Sequence, residues 1–311
     1  MSFTKHETSF DSEGIGCAGW LFVPDSADRP CPGVVMAHGI GAVKENDIEV
    51  YAERFAAAGL VTLVFDYRHL GASGGQPRQQ ILVHDQQEDY RNALTWLGRH
   101  PLVDAQRLGI WGTSFAGGHV LQIAAHDRRV KAVVSQVPMV DVWQTLQRMS
   151  TPQALGALLA MLRADRERRF GSPDRATLPL VAPLGQPSAL GSAEYERHMR
   201  WEATTPWRNE ITVESIERML EYNPSAYAAR VSPTPLLMIV ASGDQLTPPD
   251  LSLAAYEAAL EPKRLVLLPG PHYAVYEEPR SIGVAADAAV DWFAQHLSTT
   301  SGAALSGADA G

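Results

Sequence analysis

The segment Arg107–Gly118, RLGIWGTSFAGG, runs from apolar residues into Gly-Thr-Ser-Phe-Ala and then two glycines. A serine at a sharp strand-to-helix turn is held with its hydroxyl projecting above the sheet, and small neighbours are needed because strand and helix almost touch. Ser114 is thus read as a nucleophile, with Gly112 and Ala116 as its small neighbours. Ala116 departs from the strict G-x-S-x-G pattern at its last position, where a methyl group is still small.

A serine hydroxyl needs a general base, an acid that orients the base, and donors for the oxyanion that forms on acyl transfer. Asp244 ends Ala241-Ser242-Gly243-Asp244 and His272 ends Leu268-Pro269-Gly270-Pro271-His272; each is a turn after an apolar run. Met36-Ala37-His38-Gly39-Ile40-Gly41 is a glycine-bearing turn after another such run, so the backbone N–H groups of Ile40 and Phe115 are the expected oxyanion donors. His38 is expected to shape that loop from the interior. Asp141 is the rival orienting acid, while His84, His119 and His126 are rival bases. His119 and His126 fall on the helix after Ser114, which carries them away from the strand end.

The elements that must position these groups alternate. Apolar runs at Gly33–Ala37, Leu60–Asp66, Arg107–Trp111 and Val130–Gln136 read as strands buried on both faces, separated by helical segments at Asn46–Ala58, His84–Gly98 and Phe115–Ala125. Phe3–Phe10 and Cys17–Val23 read as antiparallel edge strands. After the rhythm breaks, Pro235–Ala241 and Leu265–Leu268 return as strands, with helices at Asp250–Leu260 and Ile282–His296. Eight strands in a mostly parallel α/β sheet result, with helices on both faces. Parallel strands present their carboxyl ends along one edge, so Ser114, Asp244 and His272 can converge there.

Between residues 140 and 230 the pattern is helical, interrupted by Pro and Gly, without a convincing strand. A departure of that length is expected to be a lid or binding insertion. The expected organisation is a core of residues 1–139 and 231–297, a helical lid at 140–230, and a disordered tail at 298–311, where Ser, Thr, Gly and Ala dominate.

Composition excludes several classes. The 311 residues carry a formal charge of −9, with 45% hydrophobic and 20% charged residues, which fits a globular protein and repels a phosphate backbone. Nucleic acid is not an expected partner. The basic stretch Arg163–Arg169 also carries Asp165 and Glu167 and reads as a solvated helix face. Two cysteines, Cys17 and Cys31, cannot form a disulfide scaffold or a zinc site, and no clustered metal ligands appear. No signal-like start or membrane-length apolar run is seen, so a cytoplasmic location without membrane contact is expected. No cofactor is expected, and self-association into a homodimer stays open.

Together HGIG (His38–Gly41), FDYRHLGAS (Phe65–Ser73), GTSFAGG (Gly112–Gly118), SGD (Ser242–Asp244) and GPHYAVY (Gly270–Tyr276) resemble the α/β-hydrolase superfamily, particularly its dienelactone-hydrolase-like and X-Pro-dipeptidyl-peptidase-like branch. Bacterial hydrolases and fungal polyketide transferases or thiohydrolases are similar within it. The chain order Ser, Asp, His is the one this fold uses. The resemblance implies a serine hydrolase acting on an ester, lactone or thioester through an acyl-enzyme on Ser114. Two alternatives stay open: an acyltransferase of secondary metabolism with the same triad, and a ligand-binding protein without turnover. The small-molecule acyl substrate is expected to be bulky and hydrophobic, with Tyr67, Trp143, Trp201, Trp207 and Tyr273 as candidate contacts. Met161, Tyr195, Met199, Met219 and Tyr222 also belong to the apolar set above the triad.

Overall fold

A computed structural model describes residues 1–27, 30–191 and 195–298; all but the first residue of the expected tail lies outside them. The sheet opens with β1 (Phe3–Ser12), β2 (Ile15–Pro24) and β3 (Cys31–Ala37), followed by α1 (Glu49–Ala57), β4 (Val61–Phe65), α2 (Val83–Gly98) and β5 (Val103–Thr113). Next come α3 (Phe115–His126) and β6 (Val130–Gln136). Eight strands then stand in the order β1-β2-β4-β3-β5-β6-β9-β10, where β9 is Leu236–Ala241 and β10 is Lys263–Leu268. Within this sheet only the β1·β2 and β2·β4 pairings are antiparallel. This is the expected eight-stranded, mostly parallel sheet.

Alternation along each strand divides the core into two layers. In β3, Val35 and Ala37 face one layer with Leu94 and Val120, while Val34 and Met36 face the other with Phe55 and Phe293. Because helices cover both faces, β4, β6, β9 and the second half of β5 are buried at nearly every position rather than at every second one.

Between β6 and β9 lie α4 (Val142–Met149), α5 (Pro152–Phe170), β7 (Thr177–Leu178), α6 (Tyr195–Thr204), β8 (Ile211–Thr212) and α7 (Val213–Met219). A 3-10 turn at Pro224–Tyr227 and α8 (Ala228–Val231) return the chain to the sheet. The expectation of no strand here needs correction, since β7 and β8 pair antiparallel through Thr177↔Thr212 and Leu178↔Ile211. Two residues per strand are too few to show an alternation in sequence.

Local chemistry starts these helices. Asp141 caps α4 by accepting from the Gln144 N–H at 2.9 Å, and Thr151 caps α5 ahead of Pro152. Arg169, held within α5 by Asp165 at 2.6 Å, joins α5 to α7 by pairing with Glu214 at 3.0 Å and with Glu217. The last elements are α9 (Pro249–Ala258), α10 (Ala274–Glu277) and α11 (Pro279–His296). Among the described residues, no helix is long and apolar enough to cross a membrane.

Candidate active site

Ser114 sits between β5 and α3 at φ 56° and ψ −118°, a left-handed conformation that a non-glycine residue adopts only when its surroundings enforce it. The enforcement is visible on both sides. The Ser114 N–H donates to the Gln136 carbonyl and the Ser114 carbonyl accepts from Met139 N–H, each at 2.9 Å. A side chain on Gly112 would bring its Cβ within 2.2 Å of the Ala116 carbonyl oxygen. The tight position of the motif is therefore Gly112, and the methyl of Ala116 is accommodated, fully buried.

Phe115 is the first residue of α3, so its N–H has no acceptor within the helix. Across from it, a Cβ on Gly39 would lie 3.0 Å from the Ser114 Cβ, which places the loop after β3 directly against Ser114. Ile40 and Phe115 both border the cavity that contains Ser114. His38 is buried at the base of this loop, its Nδ1 3.0 Å from the Gly39 carbonyl oxygen, and burial pulls its imidazole below the ordinary value.

Asp244 follows β9 and His272 follows β10. The two loops are hydrogen-bonded side by side, with the Ser242 N–H donating to the Leu268 carbonyl at 2.8 Å and the Gly243 N–H to the Gly270 carbonyl at 2.9 Å. His272 Nδ1 lies 2.6 Å from Asp244 Oδ2. Asp244 Oδ1 accepts from the N–H groups of Leu246 at 2.8 Å and Thr247 at 2.7 Å, and the Thr247 hydroxyl donates to Oδ2 at 2.7 Å. Burial opposes ionisation of Asp244, but the neighbouring His272 and these hydrogen bonds prevail and hold its carboxyl below the usual carboxylate value. A carboxylate so held fixes the imidazole with its proton on Nδ1 and leaves Nε2 to accept one.

The rival groups are occupied elsewhere. Asp141 spends both oxygens on Gln144, the second accepting from Nε2 at 2.9 Å. His119 is buried between the Tyr222 hydroxyl at 2.7 Å and Gln86 Oε1 at 3.0 Å, and burial, reinforced by His38, lowers its pKa to about 3. His126 is exposed, its Nδ1 against the Gln122 carbonyl. His84 borders a separate groove beside α7. No group of three or more His, Cys, Asp or Glu suited to a metal ion occurs among the described residues.

The cavity above Ser114 and His272 holds about 730 Å³ of empty space, its open mouth included. Its walls come largely from the segment after β6: Met139, Val142, Leu146 and Met149 before and on α4, with Ile216 and Met219 from α7. A second cavity of about 390 Å³, its mouth included, meets the first at Ile40, Ser114, Leu190, His272 and Tyr273 and forms a second arm toward Asn46, His198, Trp201 and Tyr276. Tyr273 borders both arms.

Placement of the expected aromatic contacts is mixed. Trp201 and Tyr273 border the cavity. Trp143 does not: it is 37% exposed on the outer side of α4, while its neighbour Val142 turns inward. Trp207 is buried against His198 and Trp201, behind the wall. Tyr67 is 1% exposed in the core, edge-on to His38, Phe65 and His119, so it packs beneath the site rather than in it. Of the other apolar residues expected above the triad, Met219 borders the cavity, Met161, Tyr195 and Met199 pack against the core, and Tyr222 is held on His119. Thr247 was not singled out by sequence, although an Asp followed three residues later by Thr is a turn pattern in which the carboxylate accepts from the chain ahead.

Comparison with known proteins agrees with this architecture. Residues 17–274 match the X-Pro dipeptidyl-peptidase (S15 family) model. The quorum-quenching protein AidA of Acinetobacter baumannii is 32% identical over 251 residues, covering 79% of this chain and 81% of that one. Thiohydrolase aneE of Aspergillus aculeatus is 31% identical over 262 residues, 81% of each chain. The polyketide transferase grgF of Penicillium sp. is 30% identical over 259 residues, 83% of this chain and 85% of that one. The crystal structure of the α/β hydrolase GrgF from Penicillium sp. superposes with a TM-score of 0.81 over 94% of this chain and 99% of that one. By fold and by family match, the chain is an α/β hydrolase that belongs to the X-Pro dipeptidyl-peptidase (S15) family.

Proposed function

We propose that the protein is a serine hydrolase that cleaves an ester, lactone or thioester of a hydrophobic acyl group. The observation that carries this reading is the hydrogen-bonded Asp244–His272 pair, 2.6 Å apart, whose His272 borders the same cavity as a Ser114 held in an enforced turn. His272 Nε2 takes the proton of Ser114 Oγ as the oxygen attacks the substrate carbonyl, and Asp244 stabilises the imidazolium. The oxyanion is received by the N–H groups of Ile40 and Phe115. His272 returns the proton to the departing oxygen or sulfur, and water activated by the same imidazole releases the acid and regenerates Ser114.

Met139, Val142, Leu146, Met149, Ile216 and Met219 form an aliphatic wall suited to the acyl chain. Each methylene buried there contributes about 0.8 kcal/mol, so kcat/KM for a series of p-nitrophenyl esters should rise roughly fourfold per added carbon until the arm is full. The test of the reading is labelling by a fluorophosphonate, followed by intact mass, of wild type, Ser114→Ala and His272→Ala. Labelling and turnover in the wild type alone are expected. A folded, unlabelled wild type removes the serine from the mechanism.

Transfer of the acyl group to an alcohol rather than water is the second reading. It rests on the 30% identity to the polyketide transferase of Penicillium sp.. Product analysis with an added alcohol separates the two.

A further inference from the structure

We propose that the second arm of the cavity is a leaving-group site built for a planar ring bearing the departing oxygen, a phenol-type alcohol. The inference rests on the serine hydrolase reading above, and it concerns which side of the reacting carbon each half of the substrate occupies.

Ser114, His272, Ile40, Leu190 and Tyr273 border both arms, so the arms diverge from the reacting centre. The carbon attacked by Ser114 becomes tetrahedral, and its acyl substituent and leaving group must point in different directions. Two arms meeting at the nucleophile can receive one each. Their chemistry decides the assignment. The first arm is mostly aliphatic and carries Met139, Met149 and Met219, with Phe115 among its lining, while the second adds the rings of His198, Trp201 and Tyr276 to the Tyr273 they share, beside Ala42 and Ile48.

These rings are already packed edge to face, with His198 4.9 Å from Trp201 and 5.6 Å from Tyr273, and His272 5.1 Å from Tyr273. The Tyr273 hydroxyl lies 3.1 Å from His198 Nε2. Arg197 fixes the wall from behind, its guanidinium 4.3 Å from the Tyr273 ring and 4.8 Å from Trp201, and paired with Asp47 and Glu277. The polar atoms of this wall are already engaged: the Tyr273 hydroxyl with His198 Nε2, Asn46 Oδ1 accepting from the Val43 N–H at 2.8 Å and Asn46 Nδ2 donating to the Thr205 hydroxyl at 3.4 Å, so what the wall offers an occupant is ring faces and edges. A planar ring meets three or four ring edges and faces at once, and its departing oxygen stays beside His272.

In the first half-reaction the bond from the acyl carbon to the phenolic oxygen breaks as the bond to Ser114 Oγ holds. The electron pair leaves on that oxygen, and the proton that His272 Nε2 took from Ser114 passes to it. The phenol is released and the acyl-enzyme remains. No oxidant or further reactant is required.

The experiment compares kcat/KM for phenyl hexanoate and ethyl hexanoate in wild type, Trp201→Leu, Tyr273→Phe and Leu146→Trp. Taking the phenyl-to-ethyl ratio of each variant relative to wild type cancels the intrinsic reactivity of the two alcohols. Loss of one ring contact is worth about 0.5–1.5 kcal/mol, so the ratio should fall roughly threefold to tenfold in Trp201→Leu. It should fall in the same direction, by less, in Tyr273→Phe. Leu146→Trp, in the aliphatic arm, should shift the preferred acyl length while holding the ratio within about twofold of wild type. Fluorophosphonate labelling of each protein is run alongside. A ratio unchanged in both Trp201→Leu and Tyr273→Phe with Ser114 still labelled overturns the arm assignment alone, as does a ratio that moves only in Leu146→Trp. An unlabelled wild type overturns the hydrolase reading beneath it.

Discussion

Replacing Asp244 by Asn tests the site without removing an atom's worth of volume. Oδ1 of Asp244 accepts from two backbone N–H groups, Leu246 and Thr247, so the carbonyl oxygen of the asparagine stays on that side and its NH2 takes the place of Oδ2. The amide then faces Thr247 and His272. The Thr247 hydroxyl has another acceptor in the Val137 carbonyl at 3.1 Å, so it can rotate, donate there and accept from the amide. His272 has no such escape: facing a donor, its Nδ1 must become an acceptor, which moves the imidazole proton to Nε2. That nitrogen then cannot receive the Ser114 proton. Stability should change by about 1 kcal/mol or less, since each hydrogen bond finds a replacement. For a triad of this kind the wrong tautomer lowers kcat about 10⁴-fold, roughly 5.4 kcal/mol of transition-state stabilisation. The assay is hydrolysis of p-nitrophenyl hexanoate by wild type and variant at matched, urea-verified folding. A variant that keeps a tenth or more of the wild-type kcat would falsify the assignment of Asp244 as the acid that orients the base.

Other perturbations separate the parts of the site. Asp141→Ala removes the cap of α4 and should cost about 1 kcal/mol in urea unfolding while kcat stays near wild type; a large loss of kcat would make Asp141 the orienting acid instead. Gly112→Ala drives a methyl into the Ala116 carbonyl and should cost about 3 kcal/mol or more, whereas Ala116→Gly should stay active and lose about 1 kcal/mol at most. Equal stability of the two variants would show that the strand and helix of the elbow are not in the contact described. The pKa of His119 is lowered to about 3 in the folded protein, so the unfolded chain takes up a proton at this residue as pH falls through 6.5 while the folded protein does not. This part of the stability is complete above pH 6.5 and declines by about 2 kcal/mol on going to pH 5. Urea unfolding of His119→Gln should show a correspondingly smaller decline over that window; an equal decline would mean that His119 is protonated in the fold.

The sheet and the three converging residues were legible for one physical reason. Strands covered on both faces carry a short apolar stretch that ends near a turn: Val34 to Ala37 in β3, Leu63 to Phe65 in β4, Leu108 to Trp111 in β5, Ala132 to Val134 in β6 and all of β9. Once they are parallel, the residues just after them share an edge, which brings the turns after β5, β9 and β10 together. The cavity walls were not legible, because they depend on helix phase and on partners far along the chain. Trp143 and Val142 are neighbours, yet one is exposed and the other borders the cavity. The first half of α5, Pro152–Leu162, is apolar around most of its circumference and its second half is charged, so no face is marked for the core. What orients α6 is Arg197 pairing with Asp47 and Glu277, and what orients α5 against α7 is Arg169 with Glu214 and Glu217. Pairings over such separations leave no local pattern. Thr247 was missed for the opposite reason, since its role is local but its residue type is common in turns.

The supports of the charge geometry and of the cavity walls are physically separate, and this bears on how one fold serves hydrolases and transferases alike. The loops carrying Asp244 and His272 are joined by backbone hydrogen bonds from Ser242 and Gly243, and the Ser114 turn by backbone bonds to Gln136 and Met139. None of these depends on the side chains of α4, α6 or α7. Those helices instead supply Leu146, Met149, His198, Trp201 and Met219, which border the two arms beside Ser114. Substitution in the wall therefore changes which acyl and leaving groups fit without moving the imidazole relative to Asp244. The exception is Tyr273, adjacent to His272 in sequence, bordering both arms and hydrogen-bonded to His198 of α6. On the assignment proposed above, Tyr273, and beside it Tyr276, stand between an occupant of the second arm and the His272 imidazole, their rings 5.1 Å and 5.9 Å from it.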